Sequence, residues 1–238
     1  MNFFYSCLLL LLLIVTGCDA PIRGDGNKII ATHYLDDFEN IEISGNFEVQ
    51  LIADTTTLLI VEADKNLHEY INFKTNNDLL TVNSEKIMVS QKNLQIKIHY
   101  STLKNLTSAG TSAISNTYPI KSESLELNIP GAGSINLELE VEQLSINLPG
   151  AGVIKLIGYA NHQQVELSGT GSYNGFNLIS NETKIVLNGV GKAEVNAREK
   201  LDAQINGIGS ISYMGDPAII SQEVHGLGKI SKADEQIE

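Results

Sequence analysis

Three glutamates at alternating positions, Glu138, Glu140 and Glu142, form the densest acidic group in this chain of 238 residues. Paired carboxylates that face a groove can cleave polysaccharides, one as general acid and the other as base or nucleophile. The chain has no Trp, the side chain on which sugars usually stack. We therefore interpret the three carboxylates as a solvated acidic edge, and an enzyme acting on polysaccharides is the least favoured function.

The histidines and cysteines do not form a metal-binding pattern. No two histidines have the short spacing typical of zinc ligands, and both cysteines, Cys7 and Cys18, lie in the first 18 residues. We therefore expect no metal and no cofactor. The five histidines are spread along the chain, at His33, His68, His99, His162 and His225.

Six Gly-x-Gly phrases recur with first glycines 19, 19, 20, 18 and 19 residues apart. One such phrase can open a nucleotide-binding loop, but that loop needs a third glycine at a fixed spacing and a following helix. Neither follows Gly131, Gly150 or Gly189. Calcium-binding nonapeptide repeats are also excluded, because their period is shorter and Asp never follows the second glycine in this chain. The phrases are therefore predicted to be architectural.

The residues around each phrase indicate the elements that carry it. Two residues before the first glycine and four residues after it, the positions are almost wholly apolar, as at Ile129 and Ile135. Polar residues alternate with them, and this period of two predicts a strand on each side of the glycines. Such a rung can bury its apolar positions only against its neighbours. The predicted fold class is all-β, a parallel β-solenoid similar to a right-handed β-helix, with rungs of about 19 residues over 108–231.

The glycines are predicted to occupy a corner of every rung. Glycine adopts positive φ without penalty, and its missing side chain lets successive corners stack closely. The predicted corner residues are Gly110, Gly131, Gly133, Gly150, Gly152, Gly169, Gly171, Gly189, Gly191, Gly207, Gly209, Gly226 and Gly228.

The region before the repeats, residues 35–107, is predicted to be a less regular β lobe. A helical turn is expected over 66–71, capped by Asp64 or Asn66. Gly45 fits the glycine frame of the repeats in a degenerate form. Strands are expected where apolar and β-branched residues alternate with polar ones, over 41–51, 57–61, 79–82 and 94–100.

The first 18 residues carry the signature of an exported lipoprotein. An unbroken apolar run over 8–15 is too short to span a membrane but fits a signal peptide. It ends at Val15-Thr16-Gly17-Cys18, which resembles the bacterial lipobox and implies cleavage before Cys18 and lipidation of that residue. Residues 1–17 are thus the predicted signal peptide, and 18–34 the lipidated cysteine with a flexible tether. Several acyl chains would anchor the protein stably in the cell envelope, outside the cytoplasm, with the outer membrane favoured.

The charge of the chain excludes one class of partner. The net charge is −12, with only 16 basic residues. Nucleic-acid binding needs a basic footprint, which this composition lacks. Electrostatic adhesion to anionic lipid headgroups is disfavoured for the same reason. The last residues, 232–238, form an acidic tail that can cap the end of a solenoid.

The glycine phrases together resemble the head GIN domain family, a family of auto-transporter adhesin-like domains. The segment 41–49, with its Gly45, Phe47 and Val49, is similar to the N-terminal motif of that family. The resemblance covers residues 35–230 and implies an all-β solenoid of two packed lobes without catalytic residues. The phrases that carry it are Leu148-Pro149-Gly150-Ala151-Gly152, Leu167-Ser168-Gly169-Thr170-Gly171 and Ile205-Asn206-Gly207-Ile208-Gly209.

Two non-catalytic functions are therefore favoured. The first is a membrane-anchored module for adhesion or ligand binding, whose ligand is an unknown protein or glycan. The second is a structural envelope protein that self-associates through an uncapped solenoid end. The size of the purified protein and its retention of envelope components would distinguish them.

Overall fold

The computed structural model of the protein describes residues 20–90 and 94–233. The predicted signal peptide, the lipidation site Cys18 and most of the acidic tail lie outside the described residues. Within them, no helix is long and apolar enough to span a membrane.

Nearly all the regular structure of the described residues is β-strand, and they include one short 3₁₀ helix, η1, at Lys65–Tyr70. The strands before the repeats are β1 Ile22–Arg23, β2 Lys28–Tyr34, β3 Asn40–Ser44, β4 Glu48–Ala53, β5 Leu58–Asp64, β6 Asn72–Asn76, β7 Leu79–Asn83, β8 Met88–Val89 and β9 Gln95–Tyr100. The later strands are β10 Asn105–Ser108, β11 Ala113–Asn116, β12 Ile120–Asn128, β13 Ser134–Leu148, β14 Val153–Leu167, β15 Thr170–Leu187, β16 Val190–Ile205, β17 Ile208–Met214, β18 Ile219–Val224 and β19 Leu227–Lys232.

The repeats stack as parallel coils, so the predicted all-β solenoid is confirmed. β13 pairs with β14 over almost its whole length, and Ile135 lies beside Ile154, 19 residues later. Alternate residues of each strand are buried, which is the period of two expected for a strand with one face in a core. Each Ile or Leu therefore lies directly above its counterpart in the next coil.

A strand ends before each of these glycine corners and another begins after it, as the sequence predicts, and each long strand has two arms. In β13 the inward positions run to Val141, two exposed residues follow, and burial resumes at Leu144. The chain thus bends a second time at Glu142 and Gln143, on the side away from the glycines. The arm that follows one glycine corner and the arm that precedes the next therefore belong to a single strand, such as β13.

The coil continues into the N-terminal region without interruption. β3 and β4 stack in parallel on β10 and β11, more than 60 residues later in the chain. β7 and β9 form the next coil beyond them. The boundary expected at residue 107 therefore does not divide the sheet, and Gly45 belongs to the same glycine column as the later repeats.

Antiparallel strands cover this end of the solenoid. β6 pairs with β7, β5 with β9, and β2 with β5, all antiparallel. Their side chains close the core that the parallel coils leave open. The two ends of the stack consequently differ, since only the N-terminal end has such a cover within the described residues.

In this region the prediction of a flexible tether is wrong, and the prediction of the helix cap is met in position only. Much of the expected flexible tether is structured, because β1 pairs with β8 and β2 is a strand of the cover. Asp64 is the N-cap residue of η1, but its side chain makes no hydrogen bond to the helix. Its Oδ2 instead accepts a hydrogen bond of 2.6 Å from the hydroxyl of Ser90.

Candidate interaction surfaces

The corner glycines are required by the close approach of successive coils. A Cβ added to Gly131 would overlap the carbonyl oxygen of Gly110, and one on Gly189 would overlap that of Gly169. At Gly152 an added Cβ would lie 2.9 Å from the carbonyl oxygen of Gly133. A side chain at these positions would force the coils apart.

The expectation of positive φ at these corners is wrong for all but one of them. Among the predicted corner glycines, only Gly209 has φ in the left-handed region, at +151°. Contact between corners, rather than an unusual backbone conformation, therefore excludes other residues from this column.

The middle residues of the later Gly-x-Gly phrases form an exposed apolar ridge, Val190, Ile208 and Leu227. They are aligned in register along the edge of the solenoid. Val190 is 48% exposed and Leu227 74% exposed. We call these three residues the corner ridge. The sequence already contained a signal for this ridge. The middle residue is Ala in the first two Gly-x-Gly phrases and Val, Ile or Leu in the last three.

The C-terminal coil presents a second apolar surface. β18 pairs only with β16, and β19 only with β17, among the described residues. Ile220 and Val224 continue columns that are buried in earlier coils, yet each is 46% exposed. Within residues 20–90 and 94–233, no strand pairs with the outer edge of β18 or with that of β19 over Leu227–Ser231, and edges of this kind can bind an additional strand. We call β18 and β19, which begins at the exposed Leu227, the open end.

The acidic residues predicted to form a solvated edge lie on the outside of one rung. Glu138, Glu140 and Glu142 are all exposed. Glu140 forms an ion pair of 2.7 Å with Lys121, and Glu142 accepts a hydrogen bond of 3.1 Å from Asn161. These contacts join neighbouring rungs at the surface. The carboxylates therefore do not face one another across a groove.

The histidines are distributed over separate parts of the surface. His99 pairs with Asp54 at 2.8 Å, and His162 lies 3.7 Å from a carboxylate oxygen of Glu182. The ring of His33 packs at 4.5 Å from that of Phe73. Across residues 20–90 and 94–233, no three His, Cys, Asp or Glu side chains are grouped as metal ligands. His68 lies in η1, and His225 is 3.2 Å from Glu223.

A shallow polar groove of about 320 Å³ crosses successive rungs beside the second bend. Its walls include His162, Glu182, Lys200 and Asp202, so both charge signs are present. Its floor includes Gln163, whose amide is already used inside the core. The groove therefore offers surface charge but no buried polar group free for a ligand.

A hydrogen-bonded network interrupts the apolar columns below this groove. Gln163 and Thr183 replace the leucines found at Leu144 and Leu201 in the same column. The hydroxyl of Tyr173 donates a hydrogen bond of 2.7 Å to Gln163 Oε1, and Gln163 Nε2 donates to the hydroxyls of Ser180 and Thr183 at 3.0 Å. All four side chains are buried. Because each polar group has a partner, the network is compatible with a core.

The shifted pKa values found in the described residues belong to structural contacts. The hydrogen bond from His99, followed by backbone contacts, lowers the pKa of Asp54. A hydrogen bond from Lys28 lowers the pKa of Glu62. Burial raises the pKa of Tyr100 to about 12 and raises that of Tyr173 further. None of these groups lies in the polar groove, so they do not mark a catalytic centre.

Similar folds occur in solved structures of bacterial adhesin-like proteins. A "putative adhesin" from Bacteroides fragilis is 24% identical, with a TM-score of 0.84 over 89% of this chain and 100% of that chain. A "putative adhesin" from Parabacteroides merdae is 24% identical, with a TM-score of 0.69 over 90% and 99%. A "putative lipid binding protein" from Parabacteroides distasonis is 23% identical, with a TM-score of 0.72 over 90% and 100%. At these identities, the likeness shows the fold alone.

The match to a sequence family is more specific. The family described as "Putative auto-transporter adhesin, head GIN domain" matches residues 37–217, from before β3 to just before β18. No curated protein matches the chain. The adhesin description of the family suggests an extracellular or surface location, and it names no enzymatic activity. Since the match covers most of the chain, this protein belongs to the head GIN domain family of adhesin-like proteins.

Proposed function

We propose that this protein is a non-catalytic lipoprotein of the bacterial cell envelope that binds a partner through its open end. The open end is the observation that carries the proposal. It combines exposed apolar side chains with strand edges that no strand of the described residues covers, and strand addition uses both of these features. A protein partner that contributes an extended segment fits this surface better than a glycan, since the described residues show no aromatic platform there.

The lipid anchor is supported by the sequence around Cys18. The lipobox-like segment ends at Cys18, and β1 begins only four residues later. Lipidation would attach the protein to a membrane by the end of the stack opposite the open end. From the coil of Gly45 to that of Gly226 there are seven steps, or roughly 34 Å at 4.8 Å per coil.

Retention of envelope components by the purified chain from residue 19 onward tests the binding function. Immobilised protein would be exposed to envelope proteins, polysaccharides and lipids, the lipids because of the Parabacteroides distasonis relative described as lipid binding. We expect a specific protein to be retained by the wild type and lost with Val224→Asp. Val153→Asp is the matched control, because Val153 is equally apolar and exposed but lies three coils before the open end.

The outcomes of that experiment are distinct. Retention that survives Val224→Asp would place the binding surface elsewhere. Retention of a polysaccharide with no protein would contradict strand addition. Turnover of a polysaccharide that depends on Glu138 or Glu140 would instead favour the least supported alternative, an enzyme.

Self-association is the second candidate function, and the same open end favours it. Two copies that meet at β18 and β19 would satisfy each other's strand edges and cover Ile220 and Val224. Light scattering at increasing protein concentration distinguishes the two functions. A monomer at all concentrations that binds a partner supports the binding module, whereas a dimer abolished by Val224→Asp supports self-association.

A further inference from the structure

The segment that follows the predicted lipidation site is fastened to the domain. Ile22 N–H donates to the carbonyl of Ile87 at 2.8 Å, and Gly24 N–H donates to that of Val89 at 2.9 Å. Ile22 also packs against the hydrophobic core. We call residues 22–27 the strap. Its first strand is therefore part of the fold rather than a spacer.

The side chain of Asn66 holds the middle of the strap from both directions. Its Nδ2 donates to the carbonyl of Arg23 at 2.8 Å, and its Oδ1 accepts from the backbone N–H of Asp25 at 2.9 Å. The backbone N–H of Lys65 donates to the carbonyl of Asn27 at 2.9 Å. Together these bonds attach the strap to the start of η1 as well as to β8.

The strap limits how far the domain can lie from a lipid on Cys18. Four residue steps separate Cys18 from Ile22, and a fully extended chain covers at most about 14 Å over that length. A flexible tether through residue 34 would have allowed several times this distance. The surface around β1 and β8 is consequently held near any membrane that contains the anchor.

The outward side of β1 and β8 has the composition of a membrane-contacting surface. Ile22 and Met88 face the core, while Arg23 and Val89 lie side by side on the opposite face. Ile87 is 66% exposed and Val89 45% exposed. We call Arg23, Ile87 and Val89 the strap face. Apolar side chains beside a cation are typical of segments that lie in the lipid headgroup region.

We propose that the strap face rests on the bilayer that holds the lipid of Cys18. This proposal rests on the proposed lipidation. The net charge of −12 opposes contact between most of the surface and anionic lipids. The strap face carries one cation, Arg23, and two exposed apolar residues close to the anchor, so its own side chains add no negative charge to the contact.

Single-cysteine labelling of the lipidated protein tests the proposal. After cleavage of the signal peptide and lipidation of Cys18, the mature chain has no free thiol, since Cys7 is removed. Val89→Cys would be labelled with a fluorophore in vesicles whose headgroups carry a nitroxide quencher. Val190→Cys is the control, because Val190 has the same side chain and 48% exposure but lies on the corner ridge. We expect several-fold stronger quenching at position 89 than at position 190.

A longer spacer provides an independent variant. Inserting twelve Gly and Ser residues between Ala20 and Pro21 leaves the strap and its hydrogen bonds in place but relaxes the distance limit. We expect quenching at position 89 to fall toward the value at position 190. Unchanged strong quenching would show that the strap face binds the bilayer by its own affinity rather than through the short connection.

The results separate the anchor from the orientation. A chain that fractionates with membranes but shows equal quenching at positions 89 and 190 keeps its lipid anchor and overturns the strap-face contact. A wild-type chain that is soluble, or that incorporates no labelled fatty acid, overturns the lipidation, and the proposed contact is overturned with it.

Discussion

Among single residues, Tyr173 has the most demanding position. It occupies a column that holds Ile135 and Ile154 in the preceding rungs, and Ala193 lies beside it in the next. The small side chain of Ala193 offsets the larger ring. The hydroxyl is then directed at Gln163, which itself replaces a leucine. Tyr173 is thus accommodated in two ways. Ala193 leaves room for its ring, and Gln163 accepts the hydrogen bond of its hydroxyl.

Replacing Tyr173 with Phe tests this compensation. We expect the free energy of unfolding to fall by about 1–3 kcal/mol, because the buried Oε1 of Gln163 loses its donor. Tyr100→Phe is the matched control, since the hydroxyl of Tyr100 is buried without a hydrogen-bond partner in the described structure. For that variant we expect no loss, or a gain of a few tenths of a kcal/mol. Urea denaturation measures both, and equal losses would contradict the role of the network.

Tyr100 also predicts how stability depends on alkaline pH. Burial raises the pKa of Tyr100 to about 12 from its ordinary value of 10.0. The folded state therefore holds this proton more tightly than the unfolded state. The stability that the buried, protonated hydroxyl of Tyr100 contributes is fully present below pH 10 and is lost as the pH rises through about 12.

Denaturation of the wild type and of Tyr100→Phe over this pH range gives the test. We expect the wild type to lose stability relative to the variant between pH 10 and 12. Parallel curves for the two proteins would show that this hydroxyl does not titrate as burial predicts.

At the scale of the element, the glycine corner sets the spacing of the coils. Gly189 lies directly against the carbonyl oxygen of Gly169 without a positive φ. Gly189→Ala should therefore destabilise the protein by overpacking, by about 1–3 kcal/mol. The control is Ala151→Ser at the exposed middle position of an earlier phrase, two rungs away, where we expect little change. Thermal unfolding of both variants checks this, and an unaffected Gly189→Ala would contradict the contact argument.

At the scale of the whole molecule, the solenoid has different ends. Antiparallel strands cover the N-terminal end. Near that end, the strap that follows Cys18 is hydrogen-bonded to β8 and to the start of η1. The open end combines exposed strand edges with side chains from the core columns. A surface protein held by one end can present the other to a partner, and this asymmetry underlies both proposed functions.

The net charge of −12 gives a prediction for self-association through the open end. Two copies repel each other at low ionic strength, and the screening length falls from about 10 Å at 0.1 M salt to about 3 Å at 1 M. If copies associate through β18 and β19, we expect the dimer fraction to rise with added salt. Light scattering between these concentrations measures it, with Val224→Asp as the control. A dimer that dissociates with salt would indicate an interface of ion pairs instead.

Much of the fold can be predicted from the sequence, because successive rungs of a solenoid share the same pattern of glycines and apolar residues. The period of the glycines and the apolar columns on either side predict parallel coils, since each column can be buried only by its counterpart in the next rung. The family follows from the same phrases. The reason for the glycines was only partly predictable, because φ at a corner depends on how the two arms meet.

The strap, the polar network and the open end were decided by tertiary structure. Residues 23–27 are polar or glycine, and nothing local indicates that the start of the strap pairs with β8, more than 60 residues away. Gln163 and Tyr173 are in different arms, and only the coil brings their side chains together. The sequence by itself determined the repeating unit, whose contacts recur at one period. Tertiary structure determined the two ends of the stack, because the contacts made where the repeat stops do not follow its period.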